Sequence, residues 1–402
     1  MNIDAVRSQF PIIGAGHVYL DSAATSLTPD WVLDRITDYY RTSRANVHRA
    51  HHPLAESATE RYESARSVVA QWLGTSTDQY VVVFTSGFTA GANLVADLVE
   101  GFVDGVTVCI ESHHSNILPW TRLSSKCQEP LSVLNNVPVD NIPIMSGRRL
   151  IALQSLGNVL GELWPISRLC RQANEQGHWA FLDLAQSASR LKHELATWRP
   201  AFAAFSSHKI YGPTGSGAVL IRRDVAESLL GYGNRAPLGG GTVTGVDQNL
   251  APTWAEPPGV WEAGTPNLAG VEGMVSAIQW MQELGMENIA KHDREITAYL
   301  YQQLETVPGI EIIGAGDKIG LVSFNIKELN PEDIARSLGA QRIAVRAGGL
   351  CANPILKTHS TGSAVRASTA VYTCQSDIDK LITALEKTVH RLQAHERFRR
   401  EI

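Results

Sequence analysis

The run Phe202-Ala-Ala-Phe-Ser-Ser-His-Lys-Ile-Tyr-Gly-Pro-Thr-Gly-Ser-Gly217 decides how this chain folds. It opens on four apolar residues, turns at once to hydroxyl and basic side chains, and closes in glycine and proline. Short apolar runs without alternation describe strands covered on both faces, typical of a parallel α/β sheet. Lys209 then stands just past the carboxyl end of such a strand, where ligands bind in open α/β sheets. A lysine desolvated near cationic neighbours has a lowered pKa, and its amine can form a Schiff base with an aldehyde.

The same arrangement recurs to either side. Tyr80–Phe84, Val106–Ile110, Leu150–Leu153, Trp179–Leu182 and Ala218–Ile221 are further apolar runs. The stretches between them are long enough for right-handed crossover helices, and Pro165 to Gly177 carries the proline-in, glycine-out punctuation of one. Polar clusters follow the runs: Thr85-Ser-Gly-Phe-Thr89, Glu111-Ser-His-His-Ser-Asn116, Ser155-Leu-Gly-Asn158 and Asp183-Leu-Ala-Gln186. From about residue 225 to 265 the texture turns to glycine and proline, which predicts an extended, irregular connection. Beyond it, helices are expected over Val271–Leu284, Ile289–Thr306 and Asp377–Leu392, the last capped by Ser376, with strands at Ile310–Ile313 and Leu321–Phe324. The tail His395–Arg400 reads as a solvated helix end.

The 402 residues, 44% hydrophobic, correspond to two or three domains at roughly 100–200 residues each. A net charge of −5 argues against nucleic-acid binding, which needs a basic surface. No run approaches the roughly 18 apolar residues of a membrane span, and Asp4 and Arg7 stand where a secretory signal would be apolar. Five scattered cysteines without a CxxC spacing argue for reduced thiols in the cytoplasm. Collagen, coiled coil and disordered chain are excluded by the same composition.

Three features converge with Lys209. Asp183 ends the preceding strand candidate, and a strand-end carboxylate can keep the pyridine nitrogen of pyridoxal phosphate (PLP) protonated so that the ring takes up electrons. Ser86-Gly-Phe-Thr89 lies between a strand and a helix, where free N–H groups favour an anion. Cys351 lies in the glycine-rich stretch Val345-Arg-Ala-Gly-Gly-Leu-Cys-Ala-Asn-Pro354, expected to be a mobile loop. Positive charge nearby makes a thiolate easier to form.

On these residues, from Tyr19-Leu-Asp-Ser-Ala-Ala24 to Val365-Arg-Ala-Ser368, the chain resembles the class V aminotransferase group of fold-type I PLP enzymes. Within that group it is similar to the cysteine desulfurase/selenocysteine lyase family, on the branch supplying iron–sulfur assembly. The resemblance implies an α/β fold with a mainly parallel seven-stranded sheet flanked by helices. Residues 16–265 would form the large domain, and 1–15 with 266–402 a smaller α+β domain carrying the Cys351 loop.

The resemblance also implies roles. Lys209 matches the lysine that bonds the cofactor aldehyde, and Asp183 the pyridine-nitrogen partner. Gln186 and Asn158 match residues bonding the phenolic oxygen or the substrate. His113 matches the imidazole stacked on the ring, with the adjacent His114 as fallback. Phe88, Thr89, Ser206 and His208 fall at the phosphate end. Thr265, in Glu262-Ala-Gly-Thr-Pro-Asn267, matches a phosphate ligand donated by the other subunit of a homodimer. Arg366 matches the clamp on the substrate α-carboxylate, a task suited to guanidinium geometry, with Arg346 beside it.

His48, His51 and His52 have a spacing that could hold a metal on a helix, but Asn46-Val-His-Arg49 resembles a site-lining segment, so His48 is assigned to the substrate and no metal is expected. Cys351 is implied to take sulfur from L-cysteine as a persulfide, for a small acceptor protein. Leu350 replaces the histidine many relatives carry before that cysteine. This keeps a cysteine or cystine C–S lyase as an alternative, with a lyase acting on L-selenocysteine beside it. A non-catalytic sulfur-transfer scaffold is a further alternative that the joint presence of Lys209, Asp183, Arg366 and Cys351 argues against, since a scaffold needs none of them. No membrane or nucleic-acid partner is expected.

Overall fold

The structure, a computed structural model, describes residues 1–48, 51–135, 139–230, 238–359 and 361–401, and side chains only as far as residue 394 within the last segment. Arg49, residues 231–237 of the glycine- and proline-rich stretch, and the side chains of the tail expected to be solvated fall outside the described residues.

The chain divides into two compact units, one of residues 31–155 and 164–283, the other of 1–30, 156–163 and 284–402. This division differs from the boundaries expected at residues 15/16 and 265/266. Residues 16–30 join the second unit through the pairing of Val18–Tyr19 with Ile343–Ala344. The short excursion 156–163 joins it through hydrogen bonds from Ser323 to the Val159 carbonyl and from Arg366 to the Asn158 carbonyl, whereas helix Leu268–Leu284 stays almost wholly with the first.

The first unit is built on seven strands: β1 Tyr80–Thr85, β2 Gly105–Cys109, β3 Ser132–Leu134, β4 Arg149–Gln154, β5 Trp179–Asp183, β6 Phe202–Ser206 and β7 Gly217–Arg222. Their order is β1-β7-β6-β5-β4-β2-β3. All neighbours are parallel except β7, which runs antiparallel to both β1 and β6. Strand β4 is buried at every position, as a sheet covered on both faces requires. Helices α1 Pro53–Trp72, α2 Phe88–Leu98, α3 Ile166–Glu175 and α4 Leu268–Leu284 belong to this unit. Pro165 caps α3, and Gly177 takes a φ of +74° just past its end. Aromatic edges fill the core: Phe181 meets Trp120 at 4.7 Å and Phe88 at 5.8 Å. The region expected to be irregular contains a helix, Arg223–Leu230, and a short hairpin of Val243–Val246 with Pro252–Trp254.

The second unit has an antiparallel sheet of β8 Ile310–Ile312, β9 Leu321–Ile326, β10 Arg346–Gly348 and β11 Ala364–Ser368, in the order β8-β9-β11-β10. Helices α5 Met286–Glu305, α6 Asn353–Thr358 and α7 Gln375–Glu401 complete it. Ile378, Leu381, Ile382, Leu385 and Val389 of α7 join Leu300 and Leu304 of α5 around Phe324 and Val365. Helix α7 begins at Gln375, so Ser376 lies inside its first turn and is not the cap expected. The N-terminal segment is woven in at Val18–Tyr19, which pairs in parallel with Ile343–Ala344, and by a bridge from Asp21 to Ser368.

Candidate active site

In the seven-stranded unit, chemistry collects where β5 and β6 end. Asp183 is the last residue of β5, in register with Gln154 of β4 and Ala204 of β6. Its carboxyl is buried, and burial pushes its pKa up to about 6, against the Ala185 N–H that it accepts at 2.8 Å and the charge of Lys209. Lys209 closes the 3-10 turn Ser207–Lys209 after β6. Burial, and then the same lysine's charge, hold His208 down to about 4, so its imidazole is neutral at pH 7. Gln186 is buried shortly after Asp183.

Ser206, the last residue of β6, accepts the Phe88 N–H on its Oγ at 2.8 Å. This fixes the start of α2 beside β6. Gly87 enters α2 with φ +144°, and a Cβ on Gly217 would lie 2.5 Å from the Phe205 carbonyl and 2.8 Å from the Gly87 Cα. Only glycines allow these backbones to close so tightly. The Phe88 ring is in the core, so its backbone, not its side chain, belongs to this cradle. Thr89 Oγ1 donates to Ser115 Oγ at 2.9 Å, and the Ser115 N–H donates to His113 Nδ1 at 3.1 Å. The first turn of α2 is thereby tied to His113, while His114 begins the turn that His113 caps.

Thr265 is exposed, three residues past Glu262. Glu262 accepts the Phe84 N–H at 2.7 Å, the Tyr62 hydroxyl at 2.8 Å and both terminal nitrogens of Arg66. Arg66 also binds Glu63, which meets His48 Nε2 at 2.9 Å. His48 is thus tied to a carboxylate, and His52 caps α1 through Nδ1, so the three histidines do not share a helix.

In the other unit, Arg366 sits on β11 opposite Arg346 of β10. Its guanidinium is buried, which lowers its pKa to about 10 against the opposing effect of Asp21. Arg366 Nη2 lies 3.5 Å from Asp21, Arg346 Nε lies 3.3 Å from the same carboxylate, and Arg366 Nη1 donates to the Asn158 carbonyl at 2.9 Å. Arg366 Nε is buried without a hydrogen-bond partner among the described residues. The Asn158 side-chain amide donates to the Leu350 carbonyl at 2.9 Å. Cys351 follows, exposed. The stretch expected to be a loop is shorter than predicted, because Arg346–Gly348 is strand β10 and Asn353–Thr358 is α6.

Three residues that matter here went unassigned in the sequence. Asp21 and Glu262 lie inside quoted motifs, Tyr19–Ala24 and Glu262–Asn267, and Ser115 lies in the cluster after β2. A carboxylate inside a motif otherwise made of small residues was the available signal for the first two.

The family profile Aminotransferase class-V matches residues 18–381. A probable cysteine desulfurase of Halalkalibacterium halodurans is 34% identical over 406 residues, covering 96% of this chain and 98% of that protein. A counterpart of the same description from Staphylococcus aureus strain N315 is 33% identical, covering 96% and 97%. The chain belongs to the aminotransferase class-V family. Among solved structures, this class-V chain superimposes on the cysteine desulfurase of Thermococcus onnurineus NA1 with a TM-score of 0.89 at 31% identity, covering 96% of this chain and 98% of that one. It superimposes on an Escherichia coli cysteine desulfurase in an S-sulfonic acid form with a TM-score of 0.87 at 32% identity, covering 97% and 99%. The fold-type I architecture expected from the sequence is therefore the one observed.

Enzymes of this class-V type depend on PLP, and the residues at the ends of β5 and β6 fit it. The Asp183 carboxyl is buried at the end of β5, and burial raises its pKa; a protonated pyridine nitrogen beside it would stabilise its charged form. The glycine-closed start of α2 offers helix N–H groups to a phosphate, and Lys209 offers an amine to the aldehyde.

Proposed function

We propose that the protein is a PLP-dependent cysteine desulfurase that converts L-cysteine to L-alanine and leaves the sulfur on Cys351 as a persulfide. One observation carries this reading: an exposed thiol, Cys351, follows directly on a residue bonded to Asn158, whose carbonyl holds Arg366. A carboxylate-binding arginine connected to a nucleophilic sulfur suits a substrate that has both a carboxylate and a sulfur. The names of the relatives support the same reading.

Bound PLP supplies the electron sink for the carbanion at the substrate Cα. Asp183 holds the proton at the pyridine nitrogen; Gln186 and Asn158 are the residues for the phenolic oxygen or the substrate. Ser206, His208 and Thr89 hold the phosphate end, at the start of α2 that the Phe88 N–H fixes to Ser206. Arg366, with Arg346 beside it, binds the substrate carboxylate, and His48 lines the substrate site. The Lys209 amine takes the Cα proton, and His113 moves a proton at the substrate thiol. The Cys351 thiolate attacks the substrate sulfur: an S–S bond forms as the Cβ–S bond breaks, the electron pair goes to the carbon skeleton, and protonation gives alanine.

The exposure of Thr265 supports a homodimer in which it completes the phosphate site of the partner subunit. A small acceptor protein would collect the persulfide sulfur for iron–sulfur assembly in the cytoplasm, a setting that the five free cysteines support.

Product analysis with L-cysteine and a reductant tests the reading. The native enzyme should give alanine and sulfide in equal amounts, and Cys351→Ala should lose both. Pyruvate and ammonia, unaffected by the substitution, would make the protein a C–S lyase and overturn it.

A further inference from the structure

Asn158 makes two contacts that its expected role toward cofactor or substrate does not use. Its carbonyl receives Arg366 Nη1, and its side-chain amide donates to the carbonyl of Leu350, each at 2.9 Å. The residue is buried, and its Oδ1 has no hydrogen-bond partner among the described residues. One short segment therefore touches both the carboxylate-binding arginine and the residue before the thiol.

The backbone at that point is unusual. Leu350 has φ +48° and Cys351 φ +54°, so two successive residues with side chains occupy the left-handed region. Neither is glycine or asparagine, and residues with a Cβ enter this region only where their surroundings hold them there. Two holds are visible. The Leu350 side chain is buried, 6% exposed, beside an exposed cysteine. The Leu350 carbonyl is bound by Asn158, which is anchored through its own carbonyl to β11. The N–H of Ala352 then donates to the Gly349 carbonyl at 2.9 Å, closing the turn around the two residues.

We infer that Asn158 is a positioning residue for the Cys351 nucleophile, fixing the left-handed turn that presents the thiol and joining that turn to Arg366. Leu350 has a matching role. Where a histidine would bring a titratable ring, the leucine supplies an apolar anchor, so the presentation of the thiol depends on packing and on one amide hydrogen bond. A substrate carboxylate on Arg366 acts on the group that already holds Asn158, so substrate binding and thiol position share one structural link. The consequence for turnover rests on the desulfurase reading above; the positioning itself does not.

The test separates the two. Holoenzyme without substrate is treated with iodoacetamide, and alkylation of Cys351 is followed by peptide mass spectrometry, with the half-buried Cys374 as internal reference. Asn158→Asp is isosteric but presents no donor to the Leu350 carbonyl, and Asn158→Ala removes the side chain. Both should alkylate at Cys351 at least threefold faster than native, because the turn is released, with the Cys374 rate unchanged. In single turnover with L-cysteine, persulfide formation should slow about tenfold or more in the same variants. A general structural defect would move Cys374 as well. Leu350→Ala, which removes the buried anchor but keeps the Cβ that makes the left-handed backbone unfavourable and leaves Asn158 intact, should give the same acceleration even if the Asn158 variants fail to fold. Unchanged Cys351 alkylation in the folded variants would overturn the inference. Altered alkylation without alanine formation in the native enzyme would instead overturn the desulfurase reading alone.

Discussion

The Asp21 carboxylate lies 3.5 Å from the guanidinium of Arg366, at the bridge that pairs the N-terminal segment with the end of β11. It also meets Arg346, so one internal carboxylate is shared by both arginines assigned to the substrate carboxylate.

Asp21 therefore competes with the substrate for the charge of Arg366. Asp21→Asn should lower the KM for L-cysteine about threefold or more and destabilise the protein by about 1–3 kcal/mol, the usual cost of losing a hydrogen bond to a charged partner. Steady-state kinetics beside urea denaturation check both. A raised KM would show that Asp21 orients Arg366 more than it competes with the substrate.

Asp183 sets a pH dependence in the cofactor-free protein. Its pKa is raised from 3.8 to about 6, so its contribution to stability is fully present below pH 3.8 and is lost as the pH rises through 6. At pH 7 the buried charge is a cost of about 3 kcal/mol, at about 1.4 kcal/mol per pKa unit. Asp183→Asn removes the charge and keeps an acceptor for Ala185. The cofactor-free variant should be more stable than native at pH 7, equal to it near pH 4, and poor at binding PLP. Urea midpoints across that range and PLP titration test the prediction; equal stability at pH 7 would refute it.

The link from Thr89 through Ser115 to His113 gives a third prediction. Ser115→Ala removes the acceptor of the Thr89 hydroxyl but keeps the N–H that His113 accepts. A net hydrogen bond of about 1 kcal/mol corresponds to a roughly fivefold weaker hold on PLP, with the Cα-proton step little changed. PLP dissociation followed by fluorescence measures it, and native affinity in the variant would count against the link.

Arg66 and Glu262 form an ion pair in which both side chains are about nine-tenths buried. Arg66→Met leaves the Glu262 carboxylate without its cation and should cost about 3–5 kcal/mol. Arg66→Met combined with Glu262→Gln should cost clearly less than the sum of the two single changes. Additive costs in a double-mutant cycle of urea midpoints would show that the pair acts independently.

The sheet was legible because its central strands are apolar on both faces, so composition alone marks them. The strands that began as the runs Tyr80–Phe84, Leu150–Leu153, Trp179–Leu182 and Phe202–Phe205 each extend one residue past the run's carboxyl end, and that extra residue is the functional one at Asp183 and Ser206. Strand β3 was not legible. It lies at the sheet edge, and Ser132-Val-Leu134 has no run long enough to stand out. Strand β10 was hidden by its glycine, which local reading assigns to a loop until β11 supplies a partner. In the candidate site, residues that end strands could be found, because a strand end is a local signal. Asp21, Ser115 and Glu262 act through partners far along the chain, and no local pattern carries that pairing.

The unit that carries Cys351 draws on residues 1–30, 156–163 and 284–402, and its first strand pairs with Ile343–Ala344. During synthesis, the N-terminal segment must wait for more than three hundred residues before its pairing partner leaves the ribosome. The strand ending in Asp183 and the turn bearing Lys209 are complete long before that. A growing chain thus acquires its binding strands before its nucleophile is in place, and the order of translation delays sulfur chemistry until the final segments are made.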